Sequence, residues 1–149
     1  MRKRASILFI LCILMITSSV SAEKWENVIT NEYVQVYLDT DSIYCDYNKN
    51  AINFRLKNII SDKGKDIRLA DLNYNSEQEK SFRNIAYQIE DKCYLVLERG
   101  LYTKQNSLYD INGNLLYVKY GAGEIKDLGK NGSEYAFDKM VMLKVFEYL

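Results

Sequence analysis

Two stretches of strict alternation constrain this chain more than any other feature. In "YVQVYLD", Val34, Val36 and Leu38 fall on one side, with Tyr33, Gln35 and Tyr37 on the other. In "AINFRLKNII", Ile52, Phe54 and Leu56 alternate with Asn53, Arg55 and Lys57. A period of two with one apolar side is the pattern of a half-buried β-strand. Such strands build a sheet with one face on a core and the other in water, which is an antiparallel arrangement. "DTDS" (Asp39 to Ser42) interrupts the first run and reads as a corner. "SIYCDY" then resumes it, with Ile43 and Cys45 on one face. "NKN" at Asn48–Asn50 reads as a turn, because asparagine tolerates left-handed backbone.

The remaining segments extend this pattern. "EKWENVIT" predicts a short first strand, with Trp25 packed over the sheet. "NIAYQIE" and "CYLVLERGLY" predict two strands about a turn at Asp91–Lys92, with Cys93, Leu95 and Leu97 on one inward face. Asn112-Gly113 between apolar runs predicts a type I′ hairpin. Between them, "SDKGK" reads as a loop and "DIRLADL" as a strand. "SEQEK", with Ser76 and Glu79 at capping-box spacing, reads as one helical turn. "SEYAFDKMVMLKVFEYL" predicts a helix capped by Ser133, with Glu134 at its positive end. Its residues are apolar around most of the circumference, which predicts burial against the sheet. The expected fold is α+β: an antiparallel meander of about five to seven strands with a C-terminal helix packed on one face.

The first residues speak to compartment. Arg2, Lys3 and Arg4 precede an uncharged, mostly apolar run from Ala5 to Ile16. "TSSVSA" follows, with Val20 and Ala22 at the positions of a small-residue cleavage site. This is the layout of a secretory signal peptide. It predicts a signal over residues 1–22, one domain over 23–149, and export to the periplasm, cell surface or medium. The alternative is an uncleaved anchor over Ala5–Ala22; after cleavage no membrane span is expected. Cys12 falls inside the apolar run, leaving Cys45 and Cys93. In an oxidising compartment an even count favours one disulfide between them, contributing about 4 kcal/mol if unstrained. Two separate buried thiols are the other reading.

Composition narrows the chemistry. There is no histidine, which removes the commonest general base and metal ligand, and with it Ser-His-Asp and Cys-His mechanisms. Loss of the three signal-region cations from 20 basic residues, against 20 acidic ones, leaves a slight negative charge. That gives no field for nucleic acid. Asp39, Asp41 and Asp46 are clustered carboxylates of the kind calcium takes, but the oxygens fall short of the six or more it needs. Asp39 and Asp41 therefore read as turn residues bonding local main chain. "DINGN" from Asp110 places Gly121 where a calcium loop needs glutamate, so the hairpin reading stands. "GAGEIKDLGKNG" lacks the Lys-Ser/Thr pair of a phosphate loop and reads as a connector. No cofactor or metal is expected. Among 13 tyrosines, Tyr33, Tyr37, Tyr117 and Tyr120 are the candidate binding surface, since tyrosine offers large contact area with a polar tip.

"YLDTDSI", "AINFRLK", "YDINGNLLY" and the closing "NGSEYAFDKMVMLKVFEYL", with a tryptophan near the mature start, together resemble the bacterial surface-adhesin protein E family. The resemblance spans most of Glu23–Leu149. It implies a small exported domain, often dimeric, with a helix tethered across an antiparallel sheet and adhesion to host extracellular proteins. In that family a cysteine of the later strands bonds one in the terminal helix. Here Cys93 matches the first while Phe146 stands at the second position, implying that packing replaces the tether. The expected function is a non-enzymatic binding module for a protein partner of the host matrix or envelope, acting through a sheet face or edge. The alternatives are an envelope-polymer hydrolase using a carboxylate pair, and a periplasmic inhibitor or assembly factor.

Overall fold

The computed structural model describes residues 24–70, 75–121, 124–130, 132 and 135–149. The expected signal region and the cap at Ser133 and Glu134 lie outside the described residues. Among the described residues, seven strands and three helices follow in the order β1 (Trp25–Thr30), β2 (Val34–Asp46), β3 (Ala51–Ile60), α1 (Asp62–Ala70), α2 (Ser76–Arg83), β4 (Tyr87–Leu95), β5 (Gly100–Tyr109), β6 (Leu115–Tyr120), β7 (Lys126–Asp127) and α3 (Ala136–Phe146). The first six strands form an antiparallel meander in sequence order, and β7 pairs with the start of β5. The expected class and the terminal helix on one face are what the chain adopts. Val141, Met142 and Val145 of α3 pack on Val36, Leu38, Ile52, Phe54, Leu56 and Leu101. The alternation at the start of the sequence thus sorts as read, with its apolar side under the helix. The helix is less buried than its composition predicts: Met140 and Leu143 are exposed on its outer side, and Phe146 is half exposed where it meets Tyr94.

Asp39 to Ser42 is not a corner between strands. It lies inside one 13-residue strand, where the register steps from Asp39↔Arg55 to Tyr44↔Asn53. The extra residues form a bulge, which leaves a ladder N–H without its carbonyl. Ser42 repairs the gap: its Oγ accepts the Arg55 N–H at 2.8 Å and donates to the Asp39 carbonyl at 2.6 Å. A hydroxyl suits this position because it both donates and accepts. Ser42→Ala is expected to cost about 1–3 kcal/mol, the penalty of an unsatisfied donor. Urea unfolding of the variant beside Ser42→Thr, which keeps the hydroxyl, measures it.

Other boundaries shift for identifiable reasons. The expected turn at Asp91–Lys92 is the middle of β4, and the chain reverses at 96–99, where Arg99 takes φ 51°. Leu97 is exposed in that reversal. Asp91 and Lys92, expected as turn residues, are each paired: Asp91 with Arg55 at 2.8 Å, and Lys92 with Glu90 and Asp138 at 3.6 and 4.0 Å. The expected loop and strand after Ser61 are helix α1 as far as Ala70; Asp71 and Leu72 of the expected strand lie outside the described residues. Ser61 Oγ accepts the Gly64 N–H at 3.1 Å and so caps it. Helix α2 is capped one residue before the expected box, by Asn75 with Gln78. It has no buried residue and is held to α1 by Arg83 on Asp66 and by Lys65 Nζ on the Arg83 carbonyl, while Arg83 and Glu79 pair within it.

The β5–β6 hairpin is also of another type. Within it only Gly113 has positive φ, whereas type I′ needs two such residues. The Asp110 carboxylate accepts from Asn112 N, Asn114 N and Asn114 Nδ2 at 2.8–2.9 Å. These bonds, that to the Asn114 side chain foremost, hold its pKa below the ordinary carboxylate value. The result is a type I turn closed by a left-handed glycine.

The expected Cys45–Cys93 bond is not made; both are free thiols. Cys45 registers with Ile52 and Cys93 with Asn53, consecutive residues that point to opposite faces. Strand β3 runs between them, placing their Cα atoms about 10 Å apart, beyond the ~7 Å a disulfide spans. Cys93 is buried, but on the face away from α3. Phe146 meets Tyr94, the next residue along, edge-on at 6.0 Å between ring centroids.

Candidate binding face

The site is built by register. On the face opposite α3, pairing is continuous across six strands: Trp25↔Asp39, Asp39↔Arg55, Arg55↔Asp91, Asp91↔Gln105 and Gln105↔Tyr120. Directly paired antiparallel residues share a face, so these side chains form one transverse row. It runs aromatic, acid, arginine, acid, amide, aromatic. A second row lies beside it: Asn27, Tyr37, Lys57, Ile89, Ser107 and Val118. Two bulges sit against the first row, one after Asp39 on β2 and one at Lys104 on β5. Bulges bend strands and re-aim side chains, and here they open a groove.

Asp39, Asn53, Cys93 and Ser107 on this face are only 4, 7, 3 and 2% exposed. The sheet itself, curled around them, provides the cover. One hollow of about 710 Å³ is lined by Asp39, Asp41, Tyr44, Asn53, Lys104 and Tyr120, among others. A second of about 240 Å³ is lined by Trp25, Lys57, Tyr87 and Tyr109. Arg55, Asp91 and Gln105 line both, so the two are parts of one trough.

Its polar groups are already ordered. Arg55 Nε donates to Asp91 Oδ1 at 2.8 Å. Lys104 Nζ donates to Asn53 Oδ1 at 3.2 Å, and Gln105 Nε2 to Ser107 Oγ at 3.0 Å. The Lys57 ammonium lies 4.4 Å from the Tyr87 ring centroid and 5.8 Å from that of Trp25, within cation–π range. Tyr87 stacks on Tyr109 at 4.9 Å and 10°. Deeper in the face, the bond to Cys93, aided by burial, pushes the Tyr102 hydroxyl up to about 12. Among the described residues no three acidic or thiol side chains gather closely enough to hold a metal ion.

The four tyrosines singled out in the sequence do not form one surface. Tyr37 lies in the second row and Tyr120 ends the first. Tyr33 stands beside α1, where the Lys63 ammonium sits 5.1 Å from its ring centroid and bonding to Glu32 raises its pKa. Tyr117 pairs with Leu108 on the helix side and lines a groove with Phe82 of α2. Sequence reading passed over Arg55, Asp91 and Gln105, and treated Trp25 as packing. Arg55 looks like an ordinary outward strand residue and Asp91 like part of a turn, and only the six-strand register aligns them with Trp25 and Gln105.

A second polar cluster lies on the helix face. Lys92 and Asp138 side chains, 8 and 3% exposed, meet Glu90 and Lys126 there. Asn58 and Gln88 complete the bonds of Glu90 at 3.0 and 3.2 Å. Its charges engage one another and join α3 and β7 to the sheet, so it is read as an anchor.

The chain matches no known family model, and no characterised protein matches it in sequence. Among the described residues no helix is long and apolar enough to cross a membrane.

Proposed function

We propose that this chain is an exported, non-enzymatic binding module whose contact surface is the open face of the sheet. The observation that carries this reading is the unbroken row from Trp25 to Tyr120, set in a trough by two flanking bulges. Arg, Tyr and Trp are the residues that concentrate energy at interfaces, and here they sit on strands rather than loops, which fixes their geometry. The signal-like first residues and the resemblance to surface-adhesin E-like proteins direct the search to macromolecules of the envelope and host matrix. The hydrolase alternative needs two carboxylates facing one substrate bond. Asp39 and Asp91 share the row, but Arg55 stands between them, which fits recognition better than bond cleavage.

The test is binding of the full chain to purified matrix and envelope components, beside an Arg55→Ala/Asp91→Ala variant. Removing both partners avoids leaving one charge unpaired. Loss of two such contacts is expected to weaken binding about 30-fold or more, while Leu143→Ala on the outer side of α3 binds as wild type. Equal binding by the double variant would overturn the proposal.

A further inference from the structure

We infer that the ligand of this trough is an uncharged, hydroxyl-rich saccharide chain. The inference rests on the open face being the contact surface, and it names the chemistry that surface selects. The first argument is charge. Asp39, Asp41 and Asp91 stand against Arg55, Lys57 and Lys104, while Lys92, which also lines the hollow, turns its ammonium to Glu90 and Asp138. Arg55 is bonded to Asp91 and Lys57 lies between two rings. A trough balanced in this way has no net field to draw a polyanion or a charged peptide.

The second argument is the order of polar groups along the row. A carboxylate only accepts hydrogen bonds, a guanidinium only donates, and an amide does both. Arg55, Asp91 and Gln105 therefore present donor, acceptor and both on adjacent strands, with Asp39 buried beside Arg55. A sugar hydroxyl donates one bond and accepts others, so neighbouring hydroxyls can each bridge an acid and the arginine beside it. The third argument is the ends. Trp25 and Tyr120 close the row, and Tyr87 and Tyr109 flank it. Aromatic rings offer flat apolar area for the C–H faces of pyranose rings. Five strand spacings set the row's span at about 24 Å, which calls for a chain of several sugars rather than one. A main-chain strand would instead add to a sheet edge, where ladder groups are unpaired.

Trp25 is the only tryptophan in the chain, so its emission reports on the end of the row. The experiment titrates the full chain with maltohexaose, cellohexaose and hexa-N-acetylchitohexaose, followed by Trp25 fluorescence at low and high salt. A hyaluronan hexasaccharide and an uncharged Ser/Asn peptide serve as contrasting probes. The expected result is a saturable change with at least one neutral saccharide, with an affinity that salt leaves unchanged. That affinity should fall about tenfold or more in Arg55→Ala/Asp91→Ala and in Tyr120→Ala. Response only to hyaluronan or to the peptide, or to none of the probes, would overturn the inference, as would an unchanged affinity in both variants. If the saccharides fail while matrix or envelope components bind in an Arg55- and Asp91-dependent way, the saccharide inference falls and the binding face stands. If neither binds, both fall.

Discussion

Asp138→Ala is expected to remove about 3–5 kcal/mol of stability, the cost of breaking a buried ion pair from one side. Against a total of about 5–15 kcal/mol for a domain, this brings the chain close to unfolding at ordinary temperature. Asp138 opens α3 and bonds Lys126 Nζ at 2.8 Å while facing Lys92 at 4.0 Å. Without it the buried Lys92 ammonium keeps only Glu90, at 3.6 Å, and the Thr103 hydroxyl, at 3.4 Å. Asp138→Asn keeps the shape and a hydrogen-bond acceptor, and is expected to cost less. The double change Asp138→Leu/Lys92→Met removes both charges together and is expected to recover most of the loss. Urea midpoints of the three variants measure the effect; a single alanine variant as stable as wild type would show that the cluster is not an anchor.

Gly64→Ala is the second large effect, and it acts through space rather than charge. A Cβ at Gly64 would lie 2.3 Å from the Tyr33 carbonyl oxygen and 2.9 Å from Ile60 Cγ2. The first neighbour is backbone and cannot swing away, so α1 must lift from the sheet. Forced overpacking typically costs about 1–3 kcal/mol. The next residue, Lys65, bonds the Arg83 carbonyl at 2.9 Å, so lifting α1 also loosens α2. Hydrogen exchange should quicken across both helices while β2–β5 stay protected. Gly121→Ala is a contrast: nothing lies within 4 Å of its added carbon, and the cost comes only from φ +84°. That backbone penalty is about 1–2 kcal/mol and local to the end of β6.

The same glycine shows why some of this fold was hard to read. Gly64 in "SDKGK" looks like a loop residue, yet it is glycine because a helix lies against a carbonyl there. The long alternations were legible because each has one apolar face, and Val34 to Leu38 and Ile52 to Leu56 needed nothing more. Asp91 and Lys92 misled because a charged pair reads as solvated until its partners are known. Their partners come from Arg55, Glu90 and Asp138, up to 46 positions away in the sequence. Cys45 and Cys93 look alike on a count of cysteines and differ by the parity of one strand. The row across the open face has the same origin. Trp25 and Tyr120 stand 95 positions apart in the sequence, and only six strands in register bring them onto one face. The "DTDS" break was visible, but its meaning was not: Ser42 keeps β2 as one strand, and the bulge it supports shapes the trough.

The most direct test is a map of amide and side-chain N–H shifts as the labelled chain is titrated with a component that binds it. The open-face reading predicts that the largest changes fall at Trp25 Nε1, Arg55 Nε and Gln105 Nε2, with Met140, Leu143 and Phe146 unmoved. Changes confined to the outer side of α3 or to β6, with those three groups still, would contradict it.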